Sequence, residues 1–226
     1  MMRLSLSAVA VCTVAFAGVA AAEPEAFHVN NEAGNSTMSA VYDAPLGERI
    51  NAISHMVGCD LTFDAKTNLA AGTCTVPLTS ITVDSEPTKT EHFQQWVTNK
   101  KSEPKTCAFE AKFQNVKLPA AMKAEQAEKF EADVPFTVCG RARADGKPEH
   151  LTGTVVLFPP GSYGEQKTIR VRAHVEKFNR DAYRIGPKYT DGWLARVQGL
   201  AKVVADDGTI DLNLFAVSAA AKAPAK

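Results

Sequence analysis

The chain has 226 residues, of which 45% are hydrophobic, so it can bury a sizeable core. Its 25 basic side chains balance 25 acidic ones, which gives no support to nucleic-acid binding, where a clustered basic excess is expected. This length fits one large β domain better than two small ones.

The first two dozen residues have the order of a secretory signal peptide. Arg3 gives a basic start, residues 4–19 form an uncharged apolar run, and three alanines follow. We predict cleavage after Ala22, a mature domain over residues 23–217 and a disordered tail over residues 218–226. The apolar run is shorter than a bilayer span, so we expect no stable membrane insertion. The expected location is the periplasm, or the medium for a secreted protein.

The cysteines of the mature chain are even in number, which in an exported protein favours disulfide bonds. They are Cys59, Cys74, Cys107 and Cys139. Three connectivities are compatible with four cysteines. Residues 52–63 alternate as one strand, and a hairpin centred after Lys66 sets Cys59 opposite Cys74. We therefore favour a Cys59–Cys74 disulfide, and the remaining pair, Cys107–Cys139, needs a β-bulge between its two strands.

Alternating segments separated by turn residues predict an all-β fold, an antiparallel barrel of about eight strands with two or three short helices. One helix is predicted from Pro87, because Phe93 and Trp96 follow at helical spacing. A second is predicted over residues 119–129, which are rich in Ala, Glu and Lys. A barrel of eight strands is wide enough to hold one small ligand.

Side chains that the alternation places inside the barrel are candidate ligand contacts. The alternative is that they form a packed core without a ligand, and the same two options apply to Phe93 and Trp96. The candidates are Ile53, Val57, Leu61, Phe93, Trp96, Phe109, Phe113, Phe136, Val171 and Leu212.

The sequence offers little for catalysis. It has no nucleophile-elbow glycine pattern, no phosphate-binding glycine loop and no two-histidine helix motif. His55 and His174 lie on predicted strands without metal ligands at suitable spacing, so we predict no metal, no cofactor and no enzyme. Arg170 and Arg172 either meet an anionic head group or form part of a solvated face.

The order of several short segments resembles that of the YceI-like family of periplasmic, lipocalin-like barrels. The strongest piece is FNRDAYRIG, which is similar to the family's Asn-Arg-x-Asp-Phe-Gly-Ile-Gly turn, although Tyr183 and Arg184 replace Phe and Gly. The resemblance covers nearly all of the mature chain. The matching segments are residues 27–29, 74–81, 90–93, 136–140 and 178–186.

The resemblance implies a carrier that holds a polyisoprenoid or similar lipid-like chain in its barrel without chemical conversion. It also implies that His92 hydrogen-bonds the head group of the ligand, whereas a locally bonded surface histidine is the alternative. The expected partner is thus an apolar small molecule, and homodimers are a further option. The competing functions are a solid structural or interaction barrel, and a lipocalin-like enzyme that acts on a bound apolar substrate.

Overall fold

The computed structural model describes residues 24–99, 103–120, 122–190 and 204–219. Within them the chain forms thirteen strands and one α-helix, α1 (Pro87–Thr98). The strands are β1 (Glu25–Val29), β2 (Thr37–Asp43), β3 (Arg49–Ser54), β4 (Gly58–Asp64), β5 (Leu69–Pro77), β6 (Thr82–Val83), β7 (Ala108–Lys117), β8 (Ala127–Val134), β9 (Phe136–Val138), β10 (Arg141–Ala142), β11 (Glu149–Phe158), β12 (Thr168–Asn179) and β13 (Asp207–Ser218).

The two predicted terminal segments fall mostly beyond this range. The predicted signal peptide, residues 1–22, lies outside the described residues, as does the tail beyond residue 219. Ser218, which we had assigned to the tail, instead ends β13, and its backbone N–H donates to the Lys167 carbonyl (2.8 Å). The Ala219 N–H donates to the Ala26 carbonyl (2.9 Å), so the ordered domain extends past residue 217.

Antiparallel pairing joins the strands into one strongly curved sheet. The hydrogen-bonded order is β10-β9-β7-β5-β4-β1-β13-β12-β11-β8, and β2 branches from β13 and leads through β3 to β6. Side chains from one face of this sheet form a single hydrophobic core. The predicted all-β, antiparallel, lipocalin-like fold class is confirmed.

The sheet does not close into a hydrogen-bonded ring, in contrast to the predicted barrel closure. Among the described strands, β8 pairs only with β11, whereas β9 pairs with β7 and β10. Pro135 separates β8 from β9, and it lacks the N–H that would continue a ladder. Its carbonyl accepts the Lys112 N–H (3.0 Å), so the two ends of the sheet meet at this peptide.

The prediction of about eight strands was too low, in part because two predicted strands are each divided and in part because β6 and β10 are strands of only two residues. The strand predicted over residues 52–63 splits into β3 and β4. Ser54 causes the break, since its hydroxyl accepts the Met56 N–H (3.0 Å) and pairs with the Ser80 hydroxyl (2.7 Å). Pro135 divides the second.

The helix prediction was correct for α1 and wrong for residues 119–129. Pro87 opens α1 as expected, and the Asp84 carboxylate shortly before it accepts the Asn51 N–H (2.9 Å). Ala124 forms an isolated bridge to Leu157, and β8 already begins at Ala127. The other helical pieces of the described residues are short 3₁₀ turns.

Both disulfide pairs are present. Cys59 lies directly opposite Cys74 in the β4–β5 ladder, and the two sulfurs are bonded, as the hairpin geometry predicted. Cys107 is bonded to Cys139, and β7 pairs with β9 so that Phe109 lies opposite Val138. Cys139 has a φ of 48°, and this left-handed turn brings its side chain back to Cys107.

Candidate functional site

A cavity of about 80 Å³, called the main cavity below, lies among the inner faces of the central strands. Its walls are almost entirely apolar side chains. Leu61, Phe113 and Val171, which the sequence nominated, are among its lining residues. Further lining residues, from β1, β4, β5, β8, β11, β12, β13 and the loop after β7, are Phe27, Phe63, Ala70, Phe130, Val155, Leu157, Ile169, Leu214, Leu118 and Met122.

Two charged residues stand at the rim of the main cavity and pair with one another. The Lys167 ammonium lies 2.6 Å from the Glu25 carboxylate, and each side chain is about one third exposed. Because the two charges offset each other, the rim presents no net charge to a ligand. The chemistry of the site is therefore apolar burial rather than recognition of an ion.

A second apolar cavity of about 50 Å³ lies beneath α1 and is called the helix-side cavity. Phe93, Trp96 and Phe109 line it, and the rings of Phe93 and Phe109 stack with their planes 5° apart. It adjoins a groove of about 420 Å³ along α1, with which it shares Ile50, Phe93 and Trp96. His92 lines this groove and not the closed interior.

A packed layer separates the two cavities, which share no lining residue among those described. On β13, Leu214 lines the main cavity and Ile210 the helix-side cavity, while Leu212 is buried between them on the same face. Ala173 on β12 is buried directly opposite Leu212, and the buried Ala111 on β7 lies between Phe113 of the main cavity and Phe109 of the helix-side cavity. The structure thus places the predicted contact Leu212 in a dividing layer rather than in the main cavity wall.

Three other nominated residues also lie away from the cavities. Val57 is fully buried, and Phe136 is buried opposite Ala111 with its ring 6.2 Å from that of Phe178. Ile53 lies on the opposite face of β3 from Ala52, which is the residue that lines the helix-side cavity. The break after Ser54 shifts the alternation by one, and this explains the misplacement of Ile53.

Several lining residues were missed by the sequence analysis. Met122 falls within residues 119–129, which were predicted as a helix, and Leu118 lies just before them, so neither position gave a sign of an inward orientation. Val155 and Leu157 share one parity on β11, and that alternation was a usable signal.

Arg170 and Arg172 lie on the outer face of β12, opposite to the inward Ile169 and Val171. The Arg170 guanidinium donates to the Asn213 side chain (3.2 Å) and lies 4.9 Å from the centre of the Phe215 ring. Of the two options stated for these arginines, their position agrees with a place on the outer face of the sheet.

The FNRDAYRIG segment forms a supporting turn. The Arg180 guanidinium donates to the carbonyls of Ala205 (2.9 Å), Ile185 (3.1 Å) and Val204 (2.9 Å). The Asn179 side chain caps the turn by accepting the Ala182 N–H (2.8 Å). These residues hold the end of β12 against the start of β13, so their role is structural.

The same turn is fixed to β11 by a buried polar cluster. Glu149 is only 2% exposed, and its carboxylate accepts from the Tyr183 hydroxyl (2.8 Å) and the Arg143 guanidinium (2.7 Å). Burial, and then the hydrogen bond to Glu149, raise the pKa of Tyr183 above its ordinary value. Tyr183 therefore stays protonated and donates to the carboxylate that it anchors.

Among the described residues, no group of three or more His, Cys, Asp or Glu side chains could hold a metal ion. A search of the same residues for a helix long and apolar enough to cross a bilayer finds none. His174, one of the histidines considered as a ligand, is bonded to Asp211 (2.8 Å) and Glu176 (3.0 Å).

No protein-family model matches the chain, and no curated protein matches it either. Among solved structures, the chain is similar to a polyisoprenoid binding domain from Saccharophagus degradans that is implicated in plant cell wall breakdown. The two share 10% sequence identity with a TM-score of 0.55, over 87% of this chain and 100% of that domain. The chain therefore has the fold of that binding domain, which confirms the family resemblance at the level of the fold.

Proposed function

We propose that this protein is an exported, non-catalytic carrier that holds one long apolar chain, a polyisoprenoid or a similar lipid, with its tail in the main cavity. The observation that carries the proposal is the apolar wall of this cavity, which is lined by Leu61, Phe113, Phe130, Val171 and Leu214. The similarity to a solved polyisoprenoid binding domain supports it.

The size of the main cavity sets a condition on binding. Its volume of about 80 Å³ is roughly half of the ~150 Å³ engineered cavity that holds benzene, so a long chain must push side chains apart. Met122 is suited to this movement, because methionine is unbranched and adapts its shape at low cost. Each buried CH₂ contributes about 0.8 kcal/mol, so ten of them gain about 8 kcal/mol before the costs of rearrangement and ordering.

The location of the carrier follows from its cysteines and its first residues. Disulfides persist in oxidising compartments, and both pairs of this chain are bonded. Together with the signal-peptide pattern of residues 1–22, they support export to the periplasm, where the protein acts as a monomer or a homodimer. N-terminal sequencing of the exported protein should begin at Glu23.

The carrier proposal is tested by extracting the purified, exported protein with organic solvent and identifying the lipids by mass spectrometry. We expect about one apolar chain per protein molecule. Ala70→Phe should reduce the recovered amount severalfold because the ring fills the main cavity. Ala127→Phe is the matched control, since Ala127 is exposed on the outside of β8.

A folded wild-type protein that yields no stoichiometric lipid, and takes up none when mixed with an isoprenoid alcohol, would contradict the proposal and favour a solid structural barrel. An enzyme would instead convert the added chain, and the product would show as a new mass.

A further inference from the structure

Outward-facing polar side chains form two parallel rows across five neighbouring strands. They line an open groove of about 720 Å³, called the outer groove, on the side of the sheet away from the two cavities. Across β8, β11, β12, β13 and β2, the first row is Lys129, Thr154, Arg172, Asn213 and Thr37. The second row, in the same strand order, is Glu131, Thr152, His174, Asp211 and Ser39.

The register explains why these ten side chains lie together. Thr154 is directly opposite both Lys129 and Arg172, and Thr152 is directly opposite both Glu131 and His174. Side chains of one row are therefore separated by the spacing between strands, about 4.8 Å, and five strands span about 19 Å. The groove is long enough for a linear ligand that lies across the strands.

Many hydrogen-bonding groups in the outer groove are free to bind a ligand. Within the part of the chain that the structure describes, Thr152, Thr154, Lys129 and Arg172 make no side-chain hydrogen bond to another protein group. His174, in contrast, is already held by Asp211 and Glu176. His174 is therefore fixed at the centre of the groove, and free hydrogen-bond donors and acceptors lie on both sides of it.

The charges of the groove indicate a ligand without strong charge. The groove contains three cationic side chains, Lys129, Arg170 and Arg172, and two carboxylates, Glu131 and Asp211. All of them stand in the two rows except Arg170, which lies next to the first row. A polyanion would meet these carboxylates, and a polycation would meet the arginines. A neutral ligand with many hydroxyl groups can instead donate to the carboxylates and accept from the guanidinium and ammonium groups.

An exposed aromatic ring lies one step along the strands from the first row. Tyr163 is 56% exposed, and its ring stacks on Phe215 and is tilted against Phe158, with centroids 5.5 Å apart in each pair. Phe215 is directly opposite Arg170, which lines the groove. Such a ring offers a flat apolar surface beside polar groups, and this combination suits the C–H face of a sugar ring.

We propose that the outer groove is a binding site for a neutral glycan chain, with Arg172 and Thr154 hydrogen-bonding its hydroxyl groups and Tyr163 stacking on one sugar. The site is separate from the main cavity and does not depend on the carrier function. Glycan binding in the outer groove would attach the protein to a polysaccharide while the main cavity holds the apolar ligand.

The test uses the full exported protein and three neutral hexasaccharide probes: a β-1,4-glucan, a β-1,4-mannan and an α-1,4-glucan. We expect at least one probe to bind with a Kd of about 0.1–1 mM, as is measurable by NMR titration. The shifted amide signals should belong to β11, β12 and the loop with Tyr163. Arg172→Ala and Tyr163→Ala should each weaken binding about tenfold.

Arg49→Ala is the matched control, because Arg49 is exposed on β3 and outside the groove. Circular dichroism checks that every variant folds. The proposal is overturned if no neutral probe shifts any groove signal at several millimolar, if only dextran sulfate binds, or if the folded Arg172 and Tyr163 variants bind like the control. Ala70→Phe should keep full glycan affinity, so failure of the carrier function and failure of this site give different results.

Discussion

The ring of Phe130 lies over Gly153, its direct partner across the β8–β11 ladder. A Cβ atom at position 153 would come within 2.8 Å of the Phe130 ring and 2.4 Å of the Arg172 carbonyl oxygen. Only glycine leaves room for this approach. Phe130 is thereby held in the wall of the main cavity, close beneath the outer groove, whose lining it also joins.

We expect Gly153→Ala to lower the free energy of unfolding by about 1–3 kcal/mol, because the added methyl group forces apart two packed strands. Urea denaturation measures this change. Gly58→Ala is the control in β4, since its nearest contact would be the Asn31 Cβ at 3.4 Å. Equal stability losses in the two variants would show that the close packing at Gly153 is unimportant.

The two disulfides should differ in their effect on stability. The bonds Cys59–Cys74 and Cys107–Cys139 close loops with sequence separations of 15 and 32. The chain-entropy relation then gives a contribution of about 3 kcal/mol for the shorter loop and about 3.7 kcal/mol for the longer. Replacing each pair by alanines and measuring chemical denaturation tests both values, and a reducing agent should destabilise only proteins that retain a disulfide.

We expect that no other cation can replace Arg180 without a loss of stability. Its guanidinium donates to three carbonyls and also lies 2.9 Å from the Asp206 carboxylate. A lysine amine cannot reach all of these acceptors, so we expect Arg180→Lys to cost about 2–4 kcal/mol in urea denaturation. Arg49→Lys, at an exposed pair with Asp43, should change stability by less than about 0.5 kcal/mol.

His174 should make stability depend on pH. Its hydrogen bond to Asp211, and then that to Glu176, raise the pKa of His174 above its ordinary value of 6.5. A raised folded-state pKa stabilises the protein fully below the unfolded pKa, and this contribution is lost as the pH rises through the folded pKa. The effect is small, about 1 kcal/mol or less, because the pair is close to solvent.

Thermal unfolding of wild type and His174→Gln should therefore differ more at a pH of about 5 than at about 9. Asp211→Asn removes the main cause of the raised pKa of His174. It should therefore reduce the change in stability between the two pH values. An imidazole signal that titrates at or below 6.5 in the folded wild type would contradict this account.

The sequence was sufficient to predict the elements with strong alternation. β12 and the β4–β5 hairpin with its disulfide follow directly from the parity of their side chains. α1 follows from Pro87 and the spacing of its aromatic residues. In each case the signal is local, so one sequence without tertiary information was enough.

The errors arose where a distant contact or a single hydrogen bond decides the structure. The Ser54 hydroxyl interrupts β3 and so reverses the orientation expected for Ile53. Residues 119–129 have helical composition, but pairing of Ala127 with Val156 on β11 draws their end into the sheet. The outer groove could not be predicted either. Its two rows combine residues from five strands, and the register between these strands cannot be read from any single segment of the sequence.

The layer formed by Leu212, Ala111 and Ala173 would limit the length of the chain that the proposed carrier can bind. This buried layer is the floor of the main cavity and separates it from the helix-side cavity under α1. A linear molecule that lies in the main cavity would therefore end at the floor. Chains short enough to stop above it would leave the floor in place, while longer ones must either displace Leu212 or leave their far end in water. Selection by length would thus come from one leucine and two alanines, without any polar recognition of the chain.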